Sequence, residues 1–299
     1  MSHRLLRGVF PPIPTPFSTS DAIDRIALDR NLSWWNKSSL AGYVVLGSNG
    51  EAPHLKEREK LTLIEAVRKS APEDWPLIAG TGLSSTSATI EFTNEAASAG
   101  AEFALVLPPS FYRGQMRADV LIEHFRRLAD AAAIPIILYN MPANTGIDLD
   151  AQATIRLSAH ERIVGMKDSS GDVVKLARIR HKADPEFAVL AGSAGFFLPA
   201  LSVGASGGIL ALANIAPDLC AAIYGHVRAG EWERAMTVQN RIIDANTAVT
   251  RRWGIPALKA AMDDLGLYGG PPRRPLLPFP EALRSELRKT LRAAGILME

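Results

Sequence analysis

In the segment Arg162-Ile-Val-Gly-Met-Lys-Asp-Ser-Ser-Gly-Asp172, an apolar run of strand length ends in Lys167, and a turn of Ser, Gly and Asp follows at once. A lysine held where a buried strand opens into a site is partly stripped of water. That loss favours the neutral amine, which can attack a carbonyl. The same segment also fits a lysine that snorkels out of a strand end. Two other places carry residue types that such chemistry uses. Tyr139 closes Ile134-Pro-Ile-Ile-Leu-Tyr139, an apolar strand with a phenol at its mouth. Beside a nucleophilic lysine the phenol is a candidate proton shuttle; alone, it serves equally well as a hydrogen-bonding group at the rim. In Gly47-Ser-Asn-Gly-Glu51, glycines bracket Ser48-Asn49. That permits a tight turn whose backbone N–H groups point at an anion such as a carboxylate. An ordinary polar turn has the same composition.

These residues need a scaffold, and the pattern along the chain supplies one. Short apolar runs at 8–14, 43–46, 77–80, 103–107, 135–139, 163–167, 187–191 and 207–210 read as strands. Helical periodicity follows them at 24–35, 56–69, 87–99, 118–132, 149–157, 173–180, 194–201 and 217–228. Eight strands each followed by a helix is the arithmetic of an α/β fold of the TIM, or (β/α)8, barrel type. Runs this apolar suit parallel strands buried on both faces. A doubly wound sheet is the alternative, but it usually has fewer units, and no Gly-x-Gly-x-x-Gly follows the first strand. Ser85-Thr-Ser offers capping hydroxyls, and Pro217 stands near a helix start. Beyond Gly230 the alternation stops. Helical segments at 231–250, 255–265 and 280–294 surround the Pro/Gly-rich stretch 269–278. The expectation is a catalytic barrel over residues 1–229 with a C-terminal helical extension, 230–299, packed on it.

Composition narrows the function. The 299 residues carry a net charge of +2 with 47% hydrophobic and 21% charged residues, and no long basic block calls for nucleic acid. The single cysteine, Cys220, excludes an intrachain disulfide framework and fits a reducing compartment. It reads as a buried helical thiol. No apolar stretch reaches the length of a membrane span, and the segment before the first strand is short for a leader, so a cytoplasmic protein is expected. The six histidines (His3, His54, His124, His160, His181 and His226) show no ligand spacing, so no metal is expected. Gly204-Ala-Ser-Gly-Gly208 lies where barrels often bind phosphate, yet suits a tight helix-to-strand turn better. Arg251-Arg252 reads as an exposed pair on a helix end, although it could reach an acid group of a substrate.

Barrel sites form at the C-terminal ends of the strands. Gly47–Glu51, Tyr139–Pro142, Lys167–Ser169 and Gly192-Ser193 therefore fall into one constellation. With Pro14-Thr-Pro-Phe17, Leu138-Tyr-Asn-Met-Pro142 and Gly165-Met-Lys-Asp-Ser169 in that order and spacing, the chain resembles the dihydrodipicolinate synthase/N-acetylneuraminate lyase superfamily of pyruvate-dependent class I aldolases, over essentially its whole length. The stretches 142–149, 189–196 and 248–256, with the Gly-Ser-Asn-Gly-Glu turn, resemble its 4-hydroxy-2-oxoglutarate aldolase branch.

The resemblance implies Lys167 as the Schiff-base former, Tyr139 as the acid/base, and Ser48 with Asn49 as binders of the pyruvate carboxylate. Candidate partners for the rest of the substrate are Ser169, Gly192, Ser193, Asn144 and Tyr112. It also implies a homotetramer, with no cofactor. Two positions depart from the synthase pattern. Asn144 stands where dihydrodipicolinate synthases carry an arginine for the aldehyde's carboxylate. Phe111 stands where a neighbouring subunit often lends a tyrosine to the proton relay, with Tyr112 beside it. Either Tyr112 substitutes or the relay runs through Ser48 and water. The expected activity is metal-independent cleavage of 4-hydroxy-2-oxoglutarate to pyruvate and glyoxylate. Alternatives are a 2-keto-3-deoxy sugar-acid aldolase, a dehydratase, dihydrodipicolinate synthase and a catalytically silent binding barrel.

Overall fold

The computed structural model describes residues 6–298; His3 lies outside them. The apolar runs form eight parallel strands: β1 Gly8–Phe10, β2 Tyr43–Val45, β3 Leu77–Gly80, β4 Phe103–Val106, β5 Ile136–Asn140, β6 Ile163–Asp168, β7 Ala188–Ala191 and β8 Gly207–Ile209. They pair in chain order from β2 to β8, and β8 then pairs with β1. Regular pairing ends at Phe10 instead of continuing to residue 14, because Pro11, Pro12 and Pro14 have no N–H to donate. The β1–β2 seam is nevertheless stitched: Pro12 bridges Val44, Val44 N–H donates to the Pro11 carbonyl at 3.1 Å, and Ile13 N–H to the Val44 carbonyl at 3.0 Å. The sheet is a (β/α)8 barrel.

Helices α1 Arg25–Trp35, α2 Glu57–Ser70, α3 Thr86–Ser98, α4 Ala118–Ala131, α5 Pro142–Thr145, α6 Ala151–Ser158, α7 Val173–Lys182, α8 Phe197–Ser202 and α9 Pro217–Arg228 connect and follow the strands. Several begin at side-chain caps: Asp24 accepts from Ala27 N–H, Ser85 from Ala88, Asp150 from Ala153 and Asp172 from Lys175. Pro217 opens α9 at its first turn, where a missing N–H costs nothing.

Alternation along the strands divides the core in two. Phe10, Val44, Ile78, Leu105, Ile137, Leu190 and Ile209 fill the barrel. Leu32, Ile64, Phe125, Leu157, Ile179 and Ile223 pack between strands and helices. Each such side chain is worth about 1.5–3 kcal/mol of burial, against about 0–1 kcal/mol for an exposed ion pair. The apolar layers therefore hold the fold. After α9, α10 Trp232–Thr247 runs through a π-helical turn at Ala248–Arg252 into α11 Gly254–Asp264, and α12 Glu281–Ala293 follows. Ile242, Val249, Leu258 and Leu287 share the outer cluster with barrel residues.

Candidate active site

Lys167 faces the barrel interior because of a slip in register. Ile136 of β5 pairs with Ile163 of β6, but Ile137 pairs with Gly165, so β6 carries one extra residue there. Val164 and Gly165 consequently occupy successive inward positions, and Tyr139 comes level with Lys167. Without that extra residue, Lys167 would stand opposite Asn140 and turn into the helix layer. Gly165 is needed for it: a Cβ there would come within 2.7 Å of the Ala188 carbonyl on β7. The result is a lysine only 3% exposed, its Nζ 4.1 Å from the centroid of the Tyr139 ring.

The phenol of Tyr139 stands 3.2 Å from Ser48 Oγ and 3.2 Å from Met141 Sδ. Ser48 opens a 3-10 turn, Ser48–Gly50, at the end of β2, with Asn49 half-buried beside it. N–H groups at the start of such a turn have no partner within it. A cavity of about 630 Å³ opens over this turn, lined by Gly47, Ser48, His54, Lys60, Tyr139 and Asn144 among others. One site thus joins an amine, a phenol, a hydroxyl and the start of a 3-10 turn.

Behind it, the outward side chains of the same strands form a lock. Asn140 Nδ2 donates to Asp168 Oδ2 at 2.8 Å and to Asp148 Oδ1 at 2.7 Å, while its Oδ1 accepts from Leu149 N–H. Lys175 reaches both carboxylates, at 2.8 Å and 2.7 Å. Burial works against the Lys175 ammonium, but its hydrogen bonds to Asp148 and Asp168 outweigh that and raise its pKa above the ordinary lysine value. The lock fixes the ends of β5 and β6, and with them Tyr139 and Lys167.

The turn itself is strained and held. Leu46 and Glu51 flank it with φ of 56° and 57°, the left-handed region, which costs a non-glycine residue roughly 1–2 kcal/mol. Such geometry persists only where its surroundings impose it. Glu51 is fully enclosed: Lys259 Nζ lies 2.7 Å from Oε1, and Arg273 N–H donates to Oε2 at 2.8 Å. Burial pushes the Lys259 amine below its usual pKa, and the charge of Glu51 opposes that. Sequence reasoning missed Lys259, although a lone charge in the apolar run Pro256-Ala-Leu-Lys-Ala-Ala-Met262 was a visible signal.

The remaining candidates divide. Ser169 Oγ is buried with no hydrogen-bond partner and faces Gly192, where a Cβ would meet it at 2.1 Å. Gly192 is thus a close-approach glycine. Ser193 caps the turn at Ala194–Phe196 and accepts from Asn246 Nδ2 of α10 at 3.0 Å. Asn144 is exposed at the cavity edge. Tyr112 is 70% exposed and stacks edge-to-face on Phe111, so neither enters the site of its own chain. The two arginines part company. Arg252 pairs with Glu286 at 2.8 Å and lies over the Trp253 ring. Arg251 instead points at the loop after β6, its Nη2 3.9 Å from the position of a Cβ on Gly171. Cys220 is buried in α9, its thiol pKa raised by desolvation. Among the described residues no group of three or more His, Cys, Asp or Glu could hold a metal, and no helix is long and apolar enough to cross a membrane.

The family model for dihydrodipicolinate synthetases matches residues 5–294. The chain belongs to the dihydrodipicolinate synthetase family. Members of this family are pyruvate-dependent lyases, and the chain is an enzyme of that class. It is 38% identical to a probable mitochondrial 4-hydroxy-2-oxoglutarate aldolase of Emericella nidulans, over 92% of this chain and 91% of that protein. It is 36% identical to a 4-hydroxy-tetrahydrodipicolinate synthase of Methanothrix thermoacetophila, over 96% of each. Among solved structures, it matches the Acinetobacter baumannii dihydrodipicolinate synthase complexed with pyruvate at a TM-score of 0.93 and 31% identity. That match covers 98% of this chain and all of the other.

Proposed function

We propose that this chain is a class I aldolase that cleaves 4-hydroxy-2-oxoglutarate into pyruvate and glyoxylate. One juxtaposition supports the chemistry: the enclosed Lys167 amine lies against the Tyr139 ring, and the Tyr139 phenol lies within reach of Ser48. In this reading Gly47–Asn49 holds the C1 carboxylate while the Lys167 amine adds to the C2 ketone and water leaves. The protonated imine then draws electrons from C3. Tyr139 takes the C4 hydroxyl proton and passes its own to Ser48 and on to water. The C3–C4 bond breaks, its electron pair enters the enamine, and glyoxylate departs. A proton returned to C3 and water added at C2 release pyruvate and the free amine. The imine is the electron sink, so these steps call for no cofactor.

For the distal half, the proposal rests on the likeness to the Emericella protein and on two side chains. Asn144 cannot give the fixed charge and fork that an arginine offers a carboxylate. Arg251, aimed at the loop after Lys167 and without an acidic partner among the described residues, is proposed to hold the distal carboxylate. The synthase names of the methanogen relatives favour a second reading, condensation of pyruvate with aspartate semialdehyde.

A substrate panel separates these readings. Higher kcat/KM is expected for 4-hydroxy-2-oxoglutarate than for 2-keto-3-deoxy-hexonates or the aspartate semialdehyde condensation, and Arg251→Met should cut that preference about tenfold. A deoxy-hexonate preferred by about tenfold, or synthase activity equal to cleavage, would replace the proposal. A homotetramer in which exposed Phe111 and Tyr112 are covered by a neighbour belongs to the same reading. Light scattering that returned only single chains would remove it.

A further inference from the structure

We propose that Glu51 and Lys259 are positioning residues, through which the C-terminal extension sets the geometry of the carboxylate-binding turn. The proposal rests on the reading of Gly47–Asn49 as the carboxylate seat. Lys259 lies on α11, far along the chain from the turn, yet its amine joins three separate stretches of the chain, through one carboxylate and two backbone carbonyls. It is 2.7 Å from Glu51 Oε1, 2.9 Å from the Thr15 carbonyl and 3.0 Å from the Pro271 carbonyl. It also lies 4.6 Å from the centroid of the Phe17 ring. Thr15 in turn donates its hydroxyl to the Gly50 carbonyl at 2.6 Å. The other carboxylate oxygen of Glu51 takes the Arg273 N–H, with His54 Nδ1 3.3 Å away. The turn is therefore gripped from the Pro14–Phe17 stretch, from α11 and from the segment after it.

Energetics argue that this arrangement is about direction more than strength. Desolvating two charges offsets most of their attraction, so a buried ion pair is weak evidence for stability. What the pair does supply is a fixed vector at Glu51, where the left-handed backbone has to be imposed. Glu51 immediately follows Gly50, and its N–H closes the turn by donating to the Ser48 carbonyl at 3.1 Å. A tilt of Glu51 therefore moves the N–H groups and hydroxyl of Ser48 and Asn49, which are the groups that meet the carboxylate. The Glu51 side chain and the Lys259 side chain are 0% and 1% exposed, so neither meets the substrate through its charged end. Nor does Lys259 compete as a nucleophile, because its amine is spent on the three oxygens.

The test is borohydride trapping of pyruvate in the full chain, followed as a function of pyruvate concentration. Glu51→Gln keeps the shape and removes the charge. It is expected to raise the half-saturating pyruvate concentration about tenfold and to leave the trapping rate at saturation within about twofold. Lys259→Met is expected to do the same. The double variant should cost no more than either single one, since the two residues act as a unit. The double variant also leaves no unpaired buried charge, so it carries the test if Lys259→Met alone does not fold. Folded variants with unchanged half-saturation, or with a lowered saturating rate at constant half-saturation, would overturn the proposal. Ser48→Ala distinguishes the underlying reading. If Ser48→Ala raises half-saturation and Glu51→Gln does not, only the positioning role falls. If Ser48→Ala changes nothing, the carboxylate seat falls with it.

Discussion

Replacing Lys167 by methionine is expected to lower kcat by more than about 10⁴-fold, the scale on which a covalent nucleophile is lost. The side chain is almost wholly enclosed at the end of β6 and packs on the Tyr139 ring, so methionine fits the same space and the fold should survive. Arginine at 167 should be equally inactive. A guanidinium stays charged at any working pH and has no free pair to offer a ketone. Circular dichroism and thermal melting should read as wild type while pyruvate release, coupled to lactate dehydrogenase, disappears. A Lys167→Met enzyme retaining even a hundredth of wild-type kcat would mean that the electron sink is elsewhere.

The next largest effect belongs to Tyr139→Phe, with a loss in kcat of roughly 10²–10⁴-fold, the usual contribution of a positioned acid or base. The ring would remain against Lys167, and only the oxygen 3.2 Å from Ser48 would go. Binding of pyruvate and formation of the imine should therefore suffer less than carbon–carbon cleavage. The comparison to make is borohydride trapping against steady-state cleavage in the same preparation. Equal slowing of both would point to a binding role for the phenol. Cleavage near the wild-type rate would pass the proton transfer to water or to Tyr112 of another copy.

Much of this molecule was readable from its residues because parallel strands buried on both faces stand out as apolar runs. The eight runs match the eight strands closely; α3 begins at the expected cap, Ser85, and Pro217 stands in the first turn of α9, as expected. The ends of those strands are where a barrel gathers its polar side chains, so Ser48, Tyr139 and Lys167 could be grouped before any geometry was known. The register slip at Val164-Gly165 could not. A strict two-residue period sends Lys167 to the wrong side of β6; the pairing of β5 with β6 reveals the extra residue, and Gly165 fits there against Ala188. The Glu51–Lys259 pair was hidden for another reason: contact between residues far apart in sequence leaves no periodic trace. Arg251 and Arg252 looked alike as neighbours, but successive residues of a helical turn point in different directions, one here to Glu286 and the other toward Gly171.

The most direct measurement is reduction of the enzyme with borohydride in the presence of pyruvate, followed by intact-mass and peptide analysis. Imine chemistry at Lys167 predicts one reduced pyruvyl unit per chain, carried by the peptide holding Lys167, with the peptides of Lys175 and Lys259 unmodified and no dependence on a chelator. An active enzyme whose Lys167 peptide stays unlabelled, or one labelled at another lysine, would contradict it.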